Sequence, residues 1–246
     1  MLFRSKLFFS DDVWQFGTVI AKESYSAWNS TLTMTLFAWM LLVAAVAYLL
    51  GAVNTAIILT KFVYREDIRK KGSGNAGMTN MLRTFGRRAA TWTFIGDFAK
   101  GALVVFIARA IGREVELQFD IAYIAALFVM IGHIYPIYFK FRGGKGISTA
   151  LGAMFVLNWI PFITIAVGIV PMVFTIKIVS AVCLCGASLY PVLSFVIMTL
   201  QEKNFAAEIL PYTLINLAMA GLIFYAHREN ISRLRSGTEP SFGRKK

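Results

Sequence analysis

Charged side chains are scarce in this 246-residue sequence. Asp, Glu, Lys and Arg make up 15% of the chain and apolar residues 57%, and the mean hydropathy is +0.64. Because soluble domains usually carry about 25% charged residues, the deficit indicates that lipid surrounds most of the chain. The net charge of +12 then indicates basic loops at a membrane surface and an anionic substrate, and no nucleic-acid partner is predicted.

Cysteine and histidine are also rare, with two of each. Cys183 and Cys185 lie two positions apart in an apolar stretch, on different faces of a helix, so they are predicted to be buried and not disulfide-bonded. His133 and His227 have no Cys/His ligand spacing around them. No metal site and no cofactor are predicted.

Seven apolar segments predict an all-α, polytopic integral membrane protein. About seven transmembrane helices are expected, joined by short re-entrant or glycine-rich cytoplasmic loops, since a spanning helix needs about 20 residues. The fourth and fifth segments are separated at Asn158–Pro161 because proline favours the start of a helix; one long bent pass is the alternative. The segments lie near residues 35–62, 89–112, 118–140, 145–158, 160–177, 179–200 and 208–227.

The basic residues predict the orientation of these passes. Seven passes with a cytoplasmic C-terminus place 18 of the 25 basic residues inside and 6 outside, with Lys100 within the membrane. This asymmetry agrees with the positive-inside rule, whereas six passes would separate the two most basic regions.

The first 34 residues are predicted to be an N-terminal extension. Ser10-Asp11-Asp12 can cap a short helix with Val13 and Phe16 on one face, which is typical of an amphipathic helix lying on the membrane surface. The same two aspartates interrupt the apolar core of a cleavable signal peptide, so none is expected. Residues 35–243 are predicted to form the seven-helix domain and 244–246 a basic tail.

Three polar segments fall on the predicted cytoplasmic side, and the first spans residues 71–83. Gly72, Gly74 and Gly77 allow several backbone N–H groups to face one anion, and Arg83 can bind a phosphate through two N–H groups. A flexible loop is the alternative, but few linkers interleave their glycines with so many hydrogen-bonding side chains. These side chains are Ser73, Asn75, Thr79 and Asn80.

The second polar segment runs from Gly132 to Thr149. Gly143, Gly144 and Gly146 surround Lys145 and precede an apolar segment, an arrangement in which a helix N-terminus and free amides bind phosphate. It lacks the first glycine of a Walker A motif, so soluble nucleotide binding is disfavoured. An interfacial lysine that extends to water is the alternative for Lys145.

The third polar segment is residues 227–239. On a continuing helix His227, Asn230 and Leu234 would share a face. A basic membrane anchor is the usual explanation for such a segment, but Asn230 and Glu239 contribute nothing to an anchor and are therefore functional candidates. A further pair, Asp97 and Lys100, lies within the second apolar segment and is expected either to hold helices together or to lie near the substrate.

Together the three segments resemble the bacterial acyl-phosphate:glycerol-3-phosphate acyltransferase family. The resemblance covers about residues 40–243 and keeps the order and spacing of the motifs at 72–83, 132–146 and 227–239. Met78 stands where the family usually has a smaller residue, and the first 34 residues have no counterpart.

The resemblance implies a multi-pass enzyme of the bacterial plasma membrane with its active site facing the cytoplasm. It would transfer a fatty acyl group from acyl phosphate to the 1-hydroxyl of glycerol 3-phosphate, giving lysophosphatidic acid, and a soluble enzyme would supply the donor. The implied catalytic residues are Ser73, Arg83, Lys145, His227, Asn230 and Glu239. The implied substrate-binding residues are Gly72, Gly74, Asn75, Thr79, Asn80, Gly143, Gly144, Gly146, Ser148, Arg233 and Gly237.

The residue chemistry agrees with that reaction. An acyl phosphate already carries a good leaving group, and the sequence has no Gly-x-Ser-x-Gly elbow. Lys145 and Arg83 are expected to hold phosphate, and Asn230 and Ser73 to orient the hydroxyl and the carbonyl. The proton is expected to pass to the phosphate of the substrate, with His227 as the alternative base.

Other classes of protein remain as alternatives. A membrane transporter of an anionic phosphorylated metabolite is the main one, although the motifs cluster at one face and no internal helix repeat is evident. A different lipid-phosphate transferase and a purely structural membrane protein are the others.

Overall fold

A computed structural model describes residues 33–241 of the chain, and all regular secondary structure among them is helical. The chain forms two compact units, residues 1–41 and 42–246. Of the first unit, residues 33–41 are described and are helical. The predicted surface helix near residue 13 and the basic tail at 244–246 lie outside the described residues.

The described helices follow the seven apolar segments. Helix α1 covers 33–51 and is followed by α2 (Thr55–Phe62), α3 (Met78–Glu114), α4 (Ala122–Ile134), α5 (Ile147–Leu157), α6 (Trp159–Ile176), α7 (Val179–Leu200), α8 (Leu210–Ala226) and α9 (Arg228–Arg235). Two short 3₁₀ turns, at Ile68–Lys70 and Ile137–Phe139, and a π-helical turn at Phe205–Ile209 complete the order of elements.

Five helical stretches in the described part of the chain are long and apolar enough to cross a membrane. They are Thr33–Phe62, Ala122–Phe139, Trp159–Ile176, Val179–Leu200 and Phe205–Ala226. Helix α5 is apolar but has only 11 residues, fewer than the 17 or so that a span needs. The fold is therefore that of a helical membrane protein, and the count of seven passes stays a prediction.

Residues 145–177 form two helices and not one bent pass. Asn158 is extended (φ −154°, ψ 102°), ends α5 and begins α6. Pro161 is the third residue of α6, where the missing N–H leaves no gap in the helical hydrogen bonds. Cys183 and Cys185 are free thiols and are half-buried, not fully buried as the sequence predicted.

Three breaks interrupt the helices, and the first and third of them lie where the sequence indicated a continuous helix. Residues 52–54 separate α1 from α2, and the Asn54 side chain caps α2 by accepting from the Ile57 N–H at 3.0 Å. Gly86 interrupts α3 with φ 83°, a left-handed conformation that glycine adopts readily. His227 lies between α8 and α9, so the third polar segment does not continue the last apolar helix.

Small residues allow α3 and α5 to pack backbone against backbone. A Cβ at Gly101 of α3 would collide with the Thr149 carbonyl, and one at Gly152 of α5 with the Phe98 carbonyl. Close approach at small residues is typical of helices packed in membranes. This contact fixes the two helices that begin at the candidate site.

Candidate active site

A cavity of about 600 Å³ brings the three polar segments together. Its walls come from α3, α4, α5, α6, α7, α8, α9 and the loops between them. One part is polar and lined by Ser73, Asn75, Thr79, Asn80, Arg83, Lys145, Gly146, Ser148, His227, Asn230, Arg233 and Glu239. Twelve of the seventeen residues named from the sequence therefore share one cavity, and the five that do not line it are all glycines.

The remainder of the cavity is an apolar arm between α6 and α7, closed on a third side by α5. Helix α6 contributes a face that includes Phe162, Ile165 and Ile169, and α7 a face that includes Val182 and Gly186. A single cavity thus offers hydrogen-bonding and cationic groups at one end and only apolar surface at the other.

Two helix N-termini open into the polar end. Gly77, Met78 and Thr79 at the start of α3 line the cavity, as do Ile147 and Ser148 at the start of α5. The first N–H groups of a helix have no acceptor within the helix, and they carry the positive end of its dipole. Both ends therefore favour an anion in the cavity.

Arg83 and Lys145 add two cations that are not ion-paired with any carboxylate within residues 33–241. Arg83 is exposed at the rim, whereas Lys145 is partly buried. Burial lowers the pKa of Lys145, while the nearby Glu239 opposes that shift. The two cations are thus available to a bound anion.

A chain of hydrogen bonds links Lys145 to the carboxylate of Glu239. The Lys145 ammonium donates to Asn230 Oδ1, and Asn230 Nδ2 donates to Glu239 Oε1 at 2.5 Å. Ser180 Oγ donates to the same oxygen at 2.7 Å, and Arg233 Nε to Glu239 Oε2 at 2.7 Å. Burial alone would raise the pKa of Glu239, but these three donors together lower it. The C-terminal segment is thereby fixed to the start of α7.

His227 lines the cavity as a neutral ring. Its side chain is 3% exposed, and Nδ1 lies 2.8 Å from the Ile223 carbonyl. A carbonyl can only accept, so Nδ1 carries the proton and Nε2 keeps a free lone pair. Burial lowers the pKa of His227 to about 4, and the charge of Lys145 adds to the shift.

Asn80 builds the first polar loop. Its Oδ1 accepts from the Ser73 N–H at 3.0 Å, and its Nδ2 lies within hydrogen-bonding distance of the carbonyls of Ile68, Lys71 and Asn75. With 1% of Asn80 exposed, its polar atoms are occupied by the loop. The Asn80 side chain therefore holds the loop in the conformation that places Ser73 at the cavity wall.

Gly143 and Gly144 do not form the expected amide nest. Their N–H groups donate to the carbonyls of Ile134 (3.1 Å) and His133 (3.2 Å), and neither residue lines the cavity. A Cβ at Gly143 would meet the His133 carbonyl, and one at Gly144 the His133 ring. These glycines are needed because the loop passes directly over His133. Gly146, with φ 81°, does line the cavity and begins α5.

Gly72, Gly74 and Gly237 also lie outside the cavity wall. All three have positive φ, of 56°, 72° and 69°, which explains glycine at these turns without substrate contact.

Several cavity residues were not named as site residues from the sequence, among them the polar residues Asp97, His133 and Ser180. His133 is 3% exposed, and its Nδ1 lies 2.9 Å from Lys100 Nζ. Its place in the Gly132–Pro136 motif was a usable signal. Ser180 lies within the apolar segment 179–200, where nothing in the sequence marks it, and only its contact with Glu239 reveals its place in the site.

The fold and the cavity define a helical membrane protein that accommodates an anionic group beside an alkyl chain. The chain belongs to the glycerol-3-phosphate acyltransferase family, whose model matches residues 41–237. The glycerol-3-phosphate acyltransferase of Clostridioides difficile (strain 630) is 42% identical over 217 residues, covering 87% of this chain and 100% of that protein. The enzyme of the same name from Bordetella pertussis (strain Tohama I / ATCC BAA-589 / NCTC 13251) is 38% identical, covering 81% and 90%.

Solved structures agree with this assignment. The glycerol 3-phosphate form of PlsY (YgiH), an integral membrane glycerol 3-phosphate acyltransferase, superposes with a TM-score of 0.71 at 29% identity, covering 83% of this chain and 96% of that one. Its lysophosphatidic acid form gives a TM-score of 0.68 at 28% identity, covering 83% and 95%. The resemblance stated from the sequence motifs is confirmed.

Proposed function

We propose that this protein transfers a fatty acyl group from acyl phosphate to the 1-hydroxyl of glycerol 3-phosphate. The observation that carries the proposal is the continuity of the cavity. Two cations that form no ion pair with a carboxylate in the described part of the chain, Arg83 and Lys145, lie at one end together with two helix N-termini, and an apolar arm leads away from them. Such a site binds phosphate groups and an acyl chain at the same time.

Arg83 and Lys145 are assigned to the substrate phosphates. Both side chains donate only, and charge-assisted hydrogen bonds to phosphate are stronger than neutral ones. The first N–H groups of α3 and α5 complete the anion site. Ser73 and Asn230 are assigned to orient the hydroxyl and the carbonyl, and Glu239 holds Asn230 in place through its 2.5 Å hydrogen bond.

In the reaction the hydroxyl oxygen of glycerol 3-phosphate attacks the acyl carbonyl carbon. The bond between that carbon and the phosphate oxygen breaks, and phosphate leaves with the electron pair. The hydroxyl proton passes to a phosphate oxygen. A phosphate group with a second pKa near 6 is a better-matched base than His227, with a pKa of about 4. His227 Nε2 is assigned to accept a hydrogen bond from glycerol 3-phosphate.

The active site is proposed to face the cytoplasm in a seven-pass arrangement. The excess of basic residues in the loops that carry the site supports this orientation. A soluble enzyme that makes acyl phosphate is the proposed source of the donor.

Acyl transfer by the purified protein in detergent tests the function. Labelled glycerol 3-phosphate is offered with acyl phosphate, acyl-CoA or acyl carrier protein in separate reactions. Lysophosphatidic acid formed only with acyl phosphate is the expected result. Binding of glycerol 3-phosphate without product from any donor would favour a transporter of phosphorylated metabolites instead.

A further inference from the structure

The apolar arm has a defined direction. Ser180, bonded to Glu239, marks its polar end on α7, and Tyr190 is the last described residue of α7 that lines it. At a rise of about 1.5 Å per residue the two are separated by about 15 Å along the helix. Helix α6 runs antiparallel, with Phe174 at the polar end and Phe162 at the deep end.

The deep end of the arm is rigid. Tyr190 is 1% exposed, and its hydroxyl donates to the Met154 carbonyl of α5 at 3.3 Å. The end of α5 is itself held by Arg109, which donates to the Leu157 carbonyl at 3.1 Å and pairs with Asp120 at 2.8 Å. An acyl chain that reaches Tyr190 therefore meets a fixed floor.

Gly186 lies between the polar end and the floor, where α6 and α7 approach each other. A Cβ at this position would lie 2.7 Å from Ile169 Cδ1 and 3.7 Å from Ile165 Cγ2. All three residues line the cavity. Gly186 and Ile169 are thus in contact at this depth, so a side chain at position 186 would have to displace Ile169 or extend into the arm.

We propose that Gly186 determines the acyl-chain length that the enzyme accepts, with Tyr190 closing the arm beyond it. The inference rests on the proposed acyl transfer. Chains that end before Gly186 are held between Val182, Cys183 and α6, whereas longer chains must pass the section of the arm that Gly186 and Ile169 border. A side chain at position 186 would exclude the longer chains and leave the binding of the shorter chains unchanged.

The test measures kcat/KM for a series of saturated acyl phosphates, from octanoyl to octadecanoyl, with the wild-type protein and the Gly186→Leu variant. In the variant, kcat/KM is expected to fall about tenfold or more with dodecanoyl phosphate, whose chain extends past Gly186 towards Tyr190, because each excluded methylene in an apolar pocket is worth about that factor or more. Octanoyl phosphate should stay within about twofold, since its chain ends before the obstruction.

Gly221→Leu is the matched control. Gly221 is an exposed glycine of α8 with nothing within 4 Å of an added Cβ. The dependence of kcat/KM on acyl-chain length in Gly221→Leu should therefore equal that of the wild-type protein. Adding Ile169→Ala to Gly186→Leu reopens the arm and should restore the long chains. If Gly186→Leu does not yield folded protein, Gly186→Ala is expected to shift the profile in the same direction by less.

An equal loss at every chain length in folded Gly186→Leu, or no loss at all, would overturn the proposal. Failure of the wild-type protein to transfer any acyl group, measured in the same series, would instead refute the proposed function.

Discussion

At the residue scale, Asn230 joins a cation to a carboxylate without adding a charge. Its Oδ1 accepts from Lys145 and its Nδ2 donates to Glu239. An aspartate could not donate to Glu239 and would place two negative charges together, while an alanine would leave both charged partners unsatisfied. The amide is therefore the chemistry that this position requires, and it fixes the Lys145 ammonium at the cavity wall.

Lys145→Ala should lower kcat/KM by about a hundredfold or more, the usual cost of removing a preorganised charged donor. The protein should remain folded and inserted, because Lys145 lies in a loop before α5. Steady-state kinetics with both substrates checks the loss. The control is Arg142→Ala, an exposed cation of the same loop that does not line the cavity. Near-normal turnover of Lys145→Ala would contradict its assignment to phosphate.

His227 predicts a pH dependence of stability. Its pKa in the folded protein is about 4, below the ordinary 6.5, so the unfolded chain takes up the proton first as the pH falls. The neutral ring therefore makes its full contribution to the free energy of unfolding above about pH 6.5. That contribution is lost as the pH falls to about 4. The loss is on the order of 3 kcal/mol.

Thermal unfolding of the wild type and of His227→Gln, followed from about pH 7 to about pH 4, measures this contribution. The charged neighbours Lys145 and Glu239 are the same in both proteins, so the difference between them isolates His227. Parallel curves for the two proteins would show that His227 is not the titrating group.

At the scale of helices, Asp97 and Lys100 hydrogen-bond to residues on both sides of the break between α1 and α2. Lys100 Nζ donates to the Val53 carbonyl at 2.8 Å, and Asp97 Oδ1 accepts from the Thr55 hydroxyl at 2.9 Å. The two side chains also pair with each other at 2.9 Å. A cation at the end of one helix and an anion at the start of the next match both helix dipoles. The pair is structural and also reaches the cavity, because Asp97 lines the wall.

Asp97→Asn should destabilise the protein by about 3–5 kcal/mol, since it leaves Lys100 buried without its counter-charge. Thermal unfolding in detergent measures the effect. Glu208→Gln is the comparison: in its pair with Lys203 the lysine is exposed and the glutamate half-buried, and its removal should cost less than about 1 kcal/mol. Equal decreases in the unfolding temperature of the two variants would show that the pair of Asp97 and Lys100 contributes no more to stability than an ion pair at the surface.

At the scale of the whole molecule, the loops that carry the three polar segments are expected on one side of the membrane. Single cysteines introduced at Lys70 and at Lys203, with Cys183 and Cys185 replaced by Ala, test this in sealed right-side-out vesicles. A membrane-impermeant maleimide should label position 203 directly and position 70 only after the vesicles are opened. The opposite pattern, or labelling of both from outside, would contradict the proposed orientation.

Much of this protein follows from the order of its residues. Because solvation by lipid requires long apolar helices with internally bonded backbones, composition and run length predicted the fold class. They also placed six of the seven apolar segments within a few residues of the observed helices. The three polar motifs were found for a similar reason: glycine, amide and cationic side chains are unusual between apolar passes. Twelve of the seventeen site residues named from these motifs line one cavity.

What only the tertiary structure decided depends on groups far apart in the chain. Gly143 and Gly144 looked like phosphate-binding glycines, but their amides are used by carbonyls of the His133 turn. Ser180 enters the site because Glu239 lies 59 positions away in sequence and 2.7 Å away in space. Gly186 of α7 lies against Ile169 of α6 in the wall of the apolar arm, a contact that only the packing of the two helices creates. Local sequence specifies which groups can bind and which helices can form, whereas packing between helices determines which of those groups remain free and how much space is left between them.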